Sequence, residues 1–240
     1  MAIDPSFYPE YALECGDPSR TKTLGFGTHP AILLVDLCKA YTSPASPLAL
    51  NESAIAQCIA TTTALLESAR STYRNLAKDT MPVFYAQTVY THPALLDAGL
   101  VGQKNPHASL FSASNPSAYT SVGDDSNPDF SKLQPQPVDT ILRKKYPSAF
   151  LGTNLATQLT ALGVDTVVIG GFLTSVAVRS TAIDAMQAGF RSIVVMEACA
   201  DLGSETHWAS LMDHNAKYGD VIGVEEALMN IKRGWTGGLE

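Results

Sequence analysis

Short apolar runs alternate along the chain with longer segments in which apolar residues recur at every third or fourth position. The short runs are typical of buried β-strands, and the spacing of three to four is typical of one face of a helix. This alternation predicts an α/β fold in which helices cover both faces of a parallel sheet. The predicted strands are 31–35, 82–86, 138–142, 166–170, 192–196 and 220–222, and the predicted helices are 51–78, 153–162, 174–188, 205–217 and one from Val224.

Residues 91–137 interrupt the alternation with Pro, Ser, Asn, Asp and Gly, including three Asn-Pro pairs that favour turns. Loops of this length are uncommon in a compact domain. Two interpretations stand: an insertion that roofs a pocket or meets another subunit, or a plain surface loop. We treat residues 1–240 as one domain, in which residues 1–28 and the Gly-rich C-terminal tail form arms.

The amino-acid composition and the net charge limit the kinds of partner and location that we expect for this protein. With 240 residues, 45% hydrophobic and 16% charged, the chain can bury one sizeable core. A formal net charge of −7 without a broad basic patch argues against nucleic acid or an anionic membrane as a partner. No secretion signal or membrane-spanning apolar run is visible, so we expect a cytoplasmic location. Four irregularly spaced cysteines are predicted to be reduced, buried thiols: Cys15, Cys38, Cys58 and Cys199.

Two charged residues are candidates for chemistry because open parallel sheets bind ligands beyond the carboxyl ends of their strands. Asp36 ends the first predicted strand, where a partly desolvated carboxylate is suited to act as a general base. It fits a turn cap as well. Lys144 follows the strand predicted at 138–142, where it could pair with Asp36 and stabilise charge developing on a substrate. Because Arg143 and Lys145 flank it, Lys144 also fits a solvated surface charge.

A third candidate is the segment 170–181, in which a strand passes through Gly170 and Gly171 into the start of a helix. Free N–H groups and the positive end of a helix dipole bind anions, stabilise an oxyanion or lower the pKa of a thiol. An ordinary strand-to-helix turn capped by Thr174 or Ser175 fits the same residues. The segment lacks the G-x-G-x-x-G pattern with its acidic partner, so we discount a dinucleotide site.

Several short sequence motifs lie between residues 25 and 232, in a definite order along the chain and at definite distances from one another. They are 25–31 (GFGTHPA), 35–37 (VDL), Lys144 with 148–155 (SAFLGTNL), 178–179 (VR) with Thr181, 184–185 (DA), 189–191 (GFR) and 218–221 (YGDV). In this combination the chain resembles the isochorismatase-like cysteine hydrolases, and among them the N-carbamoylsarcosine amidohydrolase branch. The resemblance implies a three-layer, doubly wound sheet of six parallel strands flanked by helices, which agrees with the alternation.

The resemblance also implies a catalytic triad. Its members are an Asp at the end of the first strand, a Lys after the third and a Cys at the start of the helix after the fourth. These positions are Asp36, Lys144 and Ala177, so an alanine occupies the nucleophile position. A cis peptide bond between Phe172 and Leu173 is implied as well, which would aim the N–H groups of Leu173 and residue 177 at a substrate oxygen.

We interpret Ala177 as an engineered replacement in an amidohydrolase that releases ammonia from a small carboxamide or N-carbamoyl (ureido) compound. On this interpretation the chain is inactive or nearly so, because a methyl group cannot attack a carbonyl. Two alternatives stay open. One is a naturally cysteine-less enol-ether hydrolase of the isochorismatase kind, in which Asp36 would donate a proton. The other is a non-catalytic homologue that binds small molecules.

The resemblance bears on the substrate too. The N-carbamoylsarcosine branch holds a substrate carboxylate with an Arg just after the fifth strand, whereas the segment 197–203 has no Arg. A small substrate that carries a carboxylate is therefore in doubt. Residues that could line a more apolar pocket, or equally serve in ordinary packing, are Tyr41, Gln87, Tyr90, Phe172 and Leu173.

We expect no metal and no cofactor. The segment 37–42 supplies no Asp-x-His, and the five histidines are scattered and predicted to lie on the surface or in loops. Arg179 is expected to form a structural ion pair. The resemblance implies a homodimer or homotetramer, so the expected partners are a small-molecule substrate and further copies of the chain.

Overall fold

The computed structural model describes residues 22–72, 81–119 and 131–233. Its strands are β1 (Pro30–Val35), β2 (Val83–Thr88), β3 (Thr140–Lys144), β4 (Thr166–Phe172), β5 (Arg191–Ala200) and β6 (Asp220–Ile222). They form one sheet in the order β3-β2-β1-β4-β5-β6, and all neighbours run parallel. The predicted six-stranded parallel sheet is confirmed. The strand order reverses between β1 and β4, so their carboxyl ends flank the place where such sheets bind ligands.

Helices connect the strands and cover both faces of the sheet. They are α1 (Lys39–Thr42), α2 (Glu52–Thr72), α3 (Gly99–Lys104), α4 (Pro116–Tyr119), α5 (Leu155–Ala161), α6 (Arg179–Gln187), α7 (Ser204–Lys217) and α8 (Val224–Arg233). The Asn51 side chain caps α2 by accepting a hydrogen bond from the Ser53 N–H at 3.0 Å. The predicted helix 51–78 is confirmed through Thr72, and residues 73–78 lie outside the described part of the chain.

The alternation of side chains along β1 divides the interior into two cores. Ile32 and Leu34 pack into the apolar cluster beneath α2 and α8, whereas Leu33 and Val35 pack into the cluster beneath α5 and α6. Every residue of β1 is buried. This pattern is expected of a central parallel strand covered on both faces, and it fixes which side of the sheet each polar residue at a strand end faces.

The third strand begins later than the sequence predicts. Val138 and Asp139 were expected in the strand, but β3 begins at Thr140 and extends to Lys144. A turn holds Asp139 outside the sheet, because its N–H donates to the Gln136 carbonyl and its carboxylate pairs with Arg70 at 2.7 Å. The two-residue shift makes Lys144 the last residue of the strand and not a residue beyond it.

The segment 91–137 carries regular secondary structure where it is described. Its described part contains α3, α4 and two short 3-10 turns at 96–98 and 108–111. Lys145, which directly follows β3, holds the beginning of the segment in place. Its ammonium donates to the Val89 carbonyl and to Asp97 Oδ2, each at 2.6 Å. That the segment roofs a pocket or meets a second subunit stays a prediction, and residues 120–130 lie outside the description.

The described part of the N-terminal arm is held against the amino ends of two strands. Asp165 accepts hydrogen bonds from the N–H groups of Thr28 and His29, and Asp220 accepts those of Leu24 and Gly25. The rest of both predicted arms lies outside the described residues. Cys38, Cys58 and Cys199 are free and buried as predicted, whereas Cys15 is not described. Among the described helices, none combines the length and the apolar character needed to cross a bilayer.

Candidate active site

Asp36 leaves the sheet at the carboxyl end of β1 in an unusual backbone conformation. Its φ is 49°, in the left-handed region that most residues with a side chain avoid and that Asp tolerates. The Asp36 N–H still donates to the Ala86 carbonyl at 2.8 Å, so the residue stays attached to β2 while its side chain turns away from the strand direction. The carboxylate is buried, with 5% of its side chain exposed.

Lys144 and Thr88 complete a buried network with Asp36. The Lys144 ammonium donates to Asp36 Oδ2 at 2.6 Å, to Thr88 Oγ1 at 2.7 Å and to the Tyr146 carbonyl at 3.1 Å. Thr88 donates its N–H and its hydroxyl to Asp36 Oδ1, at 2.9 and 3.0 Å. The Lys144 side chain is 0% exposed, which excludes the interpretation of a solvated surface charge. The structure therefore brings Asp36 and Lys144 together as predicted.

β4 requires glycine at position 171, one residue before the strand ends. Gly171 has a φ of +134°, and a Cβ there would lie 2.0 Å from the Val35 carbonyl oxygen. This close approach lets β4 lie flush against β1 as the chain leaves the sheet. The next peptide bond, between Phe172 and Leu173, is cis, at the position that the resemblance implies.

Ala177 lies in the first turn beyond that bond. The helix predicted over 174–188 begins as a π turn, Thr174–Val178, before α6 continues to Gln187. The N–H groups of Val176 and Val178 both donate to the Leu173 carbonyl. Ala177 is 4% exposed and belongs to the same buried cluster as Val35, the residue before Asp36. The π turn follows β4 and Asp36 follows β1, so both lie at the same edge of two neighbouring strands.

Aromatic side chains form one wall near the carboxylate. The Tyr41 ring lies 6.0 Å from that of Phe172 and 5.9 Å from that of Phe111, measured between centroids. Burial, reinforced by the Asp36 charge, raises the pKa of Tyr41 well above its usual value. The same two causes raise the pKa of Tyr90 to about 12. Both phenols are therefore neutral hydrogen-bonding groups within electrostatic reach of Asp36.

Gln87 differs from the other predicted lining residues. It is buried, but it precedes Thr88 in β2, and successive side chains of a strand point to opposite faces. Gln87 thus projects from the face of the sheet opposite to Thr88, whose hydroxyl bonds to Asp36. A role for Gln87 in substrate binding stays a prediction.

Three site residues were missed by reasoning from the sequence. Thr88 extends the second strand beyond its predicted end, and its position at a strand terminus was the signal that could have identified it. Asp201 directly follows β5, and its Oδ2 accepts a hydrogen bond from the Ser175 N–H at 2.5 Å. His207 shares a 2.8 Å hydrogen bond with the buried Thr174 hydroxyl.

The prediction that every histidine lies on the surface or in a loop is wrong for His214. His207 and His214 lie in α7, where His207 is partly buried and His214 is only 2% exposed. Burial lowers the pKa of both imidazoles, that of His214 to about 4. Arg179, by contrast, pairs with Asp213 as expected. In the described ranges, no group of three or more His, Cys, Asp or Glu side chains is arranged to hold a metal ion.

Cys38 is the thiol nearest in sequence to the network, but its environment is unlike that of a nucleophile. It is 2% exposed. Burial and the nearby Asp36 charge raise its pKa above the ordinary range, while Lys144 only partly opposes them. Because the thiolate is the reactive form, this environment keeps Cys38 unreactive.

Comparison with known proteins places these features in context. The isochorismatase domain matches residues 30–226. Maleamate amidohydrolase from Pseudomonas putida is 35% identical over 209 residues, which cover 87% of this chain and 90% of that protein. N-carbamoylsarcosine amidase from an Arthrobacter species is 31% identical over 205 residues, 83% of this chain and 70% of that protein. A cysteine hydrolase structure from Pseudomonas syringae has a TM-score of 0.75 at 22% identity over 89% of this chain and 99% of that one, a likeness of fold.

Proposed function

The chain belongs to the isochorismatase family, and from that premise we propose that it is an amidohydrolase scaffold for small carboxamide or ureido compounds whose turnover requires a thiol at position 177. One observation carries the proposal: a buried Asp36–Lys144–Thr88 network stands at the sheet edge from which the turn bearing Ala177 departs. Two relatives similar over most of the chain are named as amidohydrolases of such compounds, which supports the same reaction class.

With cysteine at position 177, each group has a defined part in the reaction. Asp36 accepts the thiol proton, and the thiolate attacks the carbonyl carbon of the amide. The N–H groups of Leu173 and residue 177 stabilise the oxyanion that forms. Asp36 returns the proton to the leaving nitrogen as the C–N bond breaks and ammonia departs. Water then cleaves the thioester, which releases the acid and restores the thiol.

Lys144 and Thr88 serve Asp36 in this scheme. The ammonium makes all of its hydrogen bonds within the protein, to Asp36, Thr88 and the Tyr146 carbonyl. It therefore fixes the carboxylate in position and balances its charge as the proton is transferred. Thr88 connects the two groups through a single hydroxyl that accepts from Lys144 and donates to Asp36.

The alanine removes only the attacking atom. Because nucleophile and oxyanion donors contribute separately to the rate, its loss should reduce turnover by several orders of magnitude while substrate binding is retained. Both an engineered replacement and a natural loss of the cysteine are compatible with this scheme.

The decisive experiment compares the Ala177 chain with Ala177→Cys, and with Ala177→Ser as a control of similar size. Ammonia release is measured from maleamate, N-carbamoylsarcosine and simple primary amides. We expect release with cysteine only, at least about 1000-fold above the Ala177 chain. If the cysteine variant releases no ammonia from any of these compounds, the amidohydrolase proposal is wrong.

Ala177 itself favours a second candidate, because an enol-ether hydrolysis that begins with protonation by Asp36 needs no nucleophile. Isochorismate is the substrate that tests it. Turnover by the Ala177 chain that is abolished in Asp36→Asn would support this reaction. Tight binding of small amides without turnover in either form would support a binding protein instead.

A further inference from the structure

The hydroxyl groups of Tyr41 and Tyr90 take no part in the reaction scheme given above. Tyr41 is 8% exposed and Tyr90 is 2% exposed. In the part of the chain that the structure describes, no group forms a hydrogen bond with either phenol oxygen. Neither oxygen is sealed from solvent without a partner, so both reach accessible space. Because a buried tyrosine normally directs its O–H to a partner, we expect a bound molecule to supply one.

Both rings stand at the edge of the sheet where Asp36 lies. Tyr90 follows β2 by two residues, and Tyr41 lies in α1, five residues after Asp36. Phe111 connects the two tyrosines from the segment 91–137. Its carbonyl accepts the Tyr90 N–H at 2.7 Å, and its ring lies 5.9 Å from that of Tyr41. The two phenols are therefore held by one wall of the site.

This wall borders the turn that carries a proposed oxyanion donor. The Tyr41 ring lies edge-on to Phe172, with 6.0 Å between the centroids. Phe172 forms the cis bond to Leu173, and Leu173 packs against the buried cluster that contains Tyr41 and Tyr90. Ala177 belongs to the other cluster. A substrate whose carbonyl lies between Leu173 and residue 177 thus has the two tyrosines on the side away from residue 177.

Both phenols are available as hydrogen-bond donors. Burial and the Asp36 charge raise the pKa of each, so both keep their protons at neutral pH. These protons are not given to Asp36. Its Oδ1 accepts two hydrogen bonds from Thr88, and its Oδ2 accepts the Lys144 ammonium.

Resting on the amidohydrolase function proposed above, we propose that Tyr41 and Tyr90 select the substrate by donating their hydroxyl protons to an acceptor oxygen at its end remote from the scissile carbonyl. The preferred compound is a small amide or ureide that ends in a carbonyl or carboxylate group. A compound that ends in an alkyl group would leave both hydroxyls unpaired, which is costly in a buried site. The segment 197–203 has no Arg, and the phenol pair is an uncharged alternative for holding a carboxylate.

Three amides with heavy-atom skeletons of the same size and branching test this selectivity in the Ala177→Cys variant. Succinamide ends in a neutral carbonyl group, succinamate in a carboxylate and 4-methylpentanamide in an isopropyl group. Ammonia release gives kcat/KM for each compound, counted per amide group. We expect succinamide and succinamate to exceed 4-methylpentanamide by at least about tenfold, the effect of the added hydrogen bonds. Since succinamide and 4-methylpentanamide are both uncharged, their ratio measures hydrogen bonding apart from charge.

Phenylalanine at each position removes the hydroxyl and keeps the ring. The double variant Tyr41→Phe/Tyr90→Phe should bring the ratio of succinamide to 4-methylpentanamide to within about threefold of one. Tyr218→Phe is the control, because Tyr218 precedes β6 at the opposite edge of the sheet, and it should leave the ratio unchanged.

Two results would overturn the assignment of the tyrosines while the amidohydrolase function stands. One is a ratio near one in the enzyme with both tyrosines, or a ratio that the double variant does not alter. The other is a preference for succinamate alone, since a cation such as the half-buried Lys39 would then be holding the carboxylate.

Failure of the amidohydrolase function is recognised separately, as absence of ammonia release from all three amides. Calorimetric binding of the intact amides to the unmodified Ala177 chain then decides the role of the tyrosines. We expect the same order of affinity, with 4-methylpentanamide weakest by about tenfold. Binding of 4-methylpentanamide as tight as that of succinamide, or no binding of any of the three, would overturn the proposal.

Discussion

The Lys144 ammonium reaches across β2 to Asp36 Oδ2, and the 2.6 Å hydrogen bond between them is fully buried. β3 is an edge strand and β1 is central, so the pair joins strands that are not neighbours. Thr88, at the end of the strand between them, bonds to both. Removing two charges from water is costly, and such a pair persists only when each charge is matched and hydrogen-bonded.

Removing one charge of the Asp36–Lys144 pair should destabilise the protein more than removing both charges. Lys144→Met leaves the buried carboxylate without its cation and should cost about 3–5 kcal/mol of unfolding free energy. The double variant Asp36→Asn/Lys144→Met removes both charges and should recover more than half of that loss. Urea denaturation of the two single variants and the double variant measures the coupling. A cost below about 1 kcal/mol for Lys144→Met would contradict a tightly paired buried charge.

Thr88 should act as a positioning residue through its hydroxyl alone. Thr88→Val preserves the shape and the backbone bond to Asp36 but leaves the Lys144 ammonium one acceptor short, at a cost of about 1–3 kcal/mol. In the Ala177→Cys background, Thr88→Val should also lower kcat by about tenfold with little change in KM, because Asp36 is less well oriented. Thr88→Ser, which keeps the hydroxyl, is the control. Equal kcat and pH–rate profiles for Val and Ser would show that the hydroxyl is dispensable.

Gly171→Ala should be among the most damaging single-methyl additions in the chain. The added Cβ would lie 2.0 Å from the Val35 carbonyl oxygen. The alanine would also have to adopt a φ of +134°, which is strained for a residue with a side chain. Gly189→Ala is the matched control, because Gly189 also has a positive φ, +91°, but has open space at the Cβ position. We expect about 1–2 kcal/mol for Gly189→Ala from strain alone, and at least about 2 kcal/mol more for Gly171→Ala. Similar urea midpoints for the two variants would argue against the close approach of β4 and β1.

His214 should make the protein less stable as the pH falls below neutrality. Burial lowers its folded-state pKa from 6.5 to about 4, so the unfolded chain binds the proton more readily than the folded one between these values. Stability due to this group is complete above pH 6.5, declines as the pH falls, and is reduced by at most about 3 kcal/mol below pH 4.

The variant His214→Gln isolates this effect from the titration of carboxylates. Urea denaturation from pH 7 to pH 4 should show the unmodified chain losing stability relative to the variant by about 2–3 kcal/mol. His92→Gln changes an exposed histidine of the 91–137 segment and should follow the unmodified chain. Parallel curves for His214→Gln and the unmodified chain would contradict a neutral, buried His214.

Where elements begin and end was predicted less well than their type. The apolar run of β1 matched its strand within one residue, because a central strand is buried on both faces and its pattern is unbroken. The edge strand β3 begins two residues later than the sequence predicts. The Arg70–Asp139 pair, which joins residues distant in sequence, decides where the strand starts. The burial of His214 in α7 was missed for a similar reason, since burial depends on what packs against a helix.

The sequence by itself determined the fold class and the family resemblance, and it singled out Asp36, Lys144 and position 177 as candidate site residues, because periodicity and motif order are properties of the linear chain. Only the tertiary structure decided that Thr88 joins the two charges, that Asp201 lies at the π turn, and that Lys144 has no free N–H. These relationships depend on the order of the strands in the sheet and on the direction in which each strand end points. Neither the strand order nor the direction of the strand ends is encoded in the spacing of residues along the chain, because contacts between distant segments arise only when the chain packs.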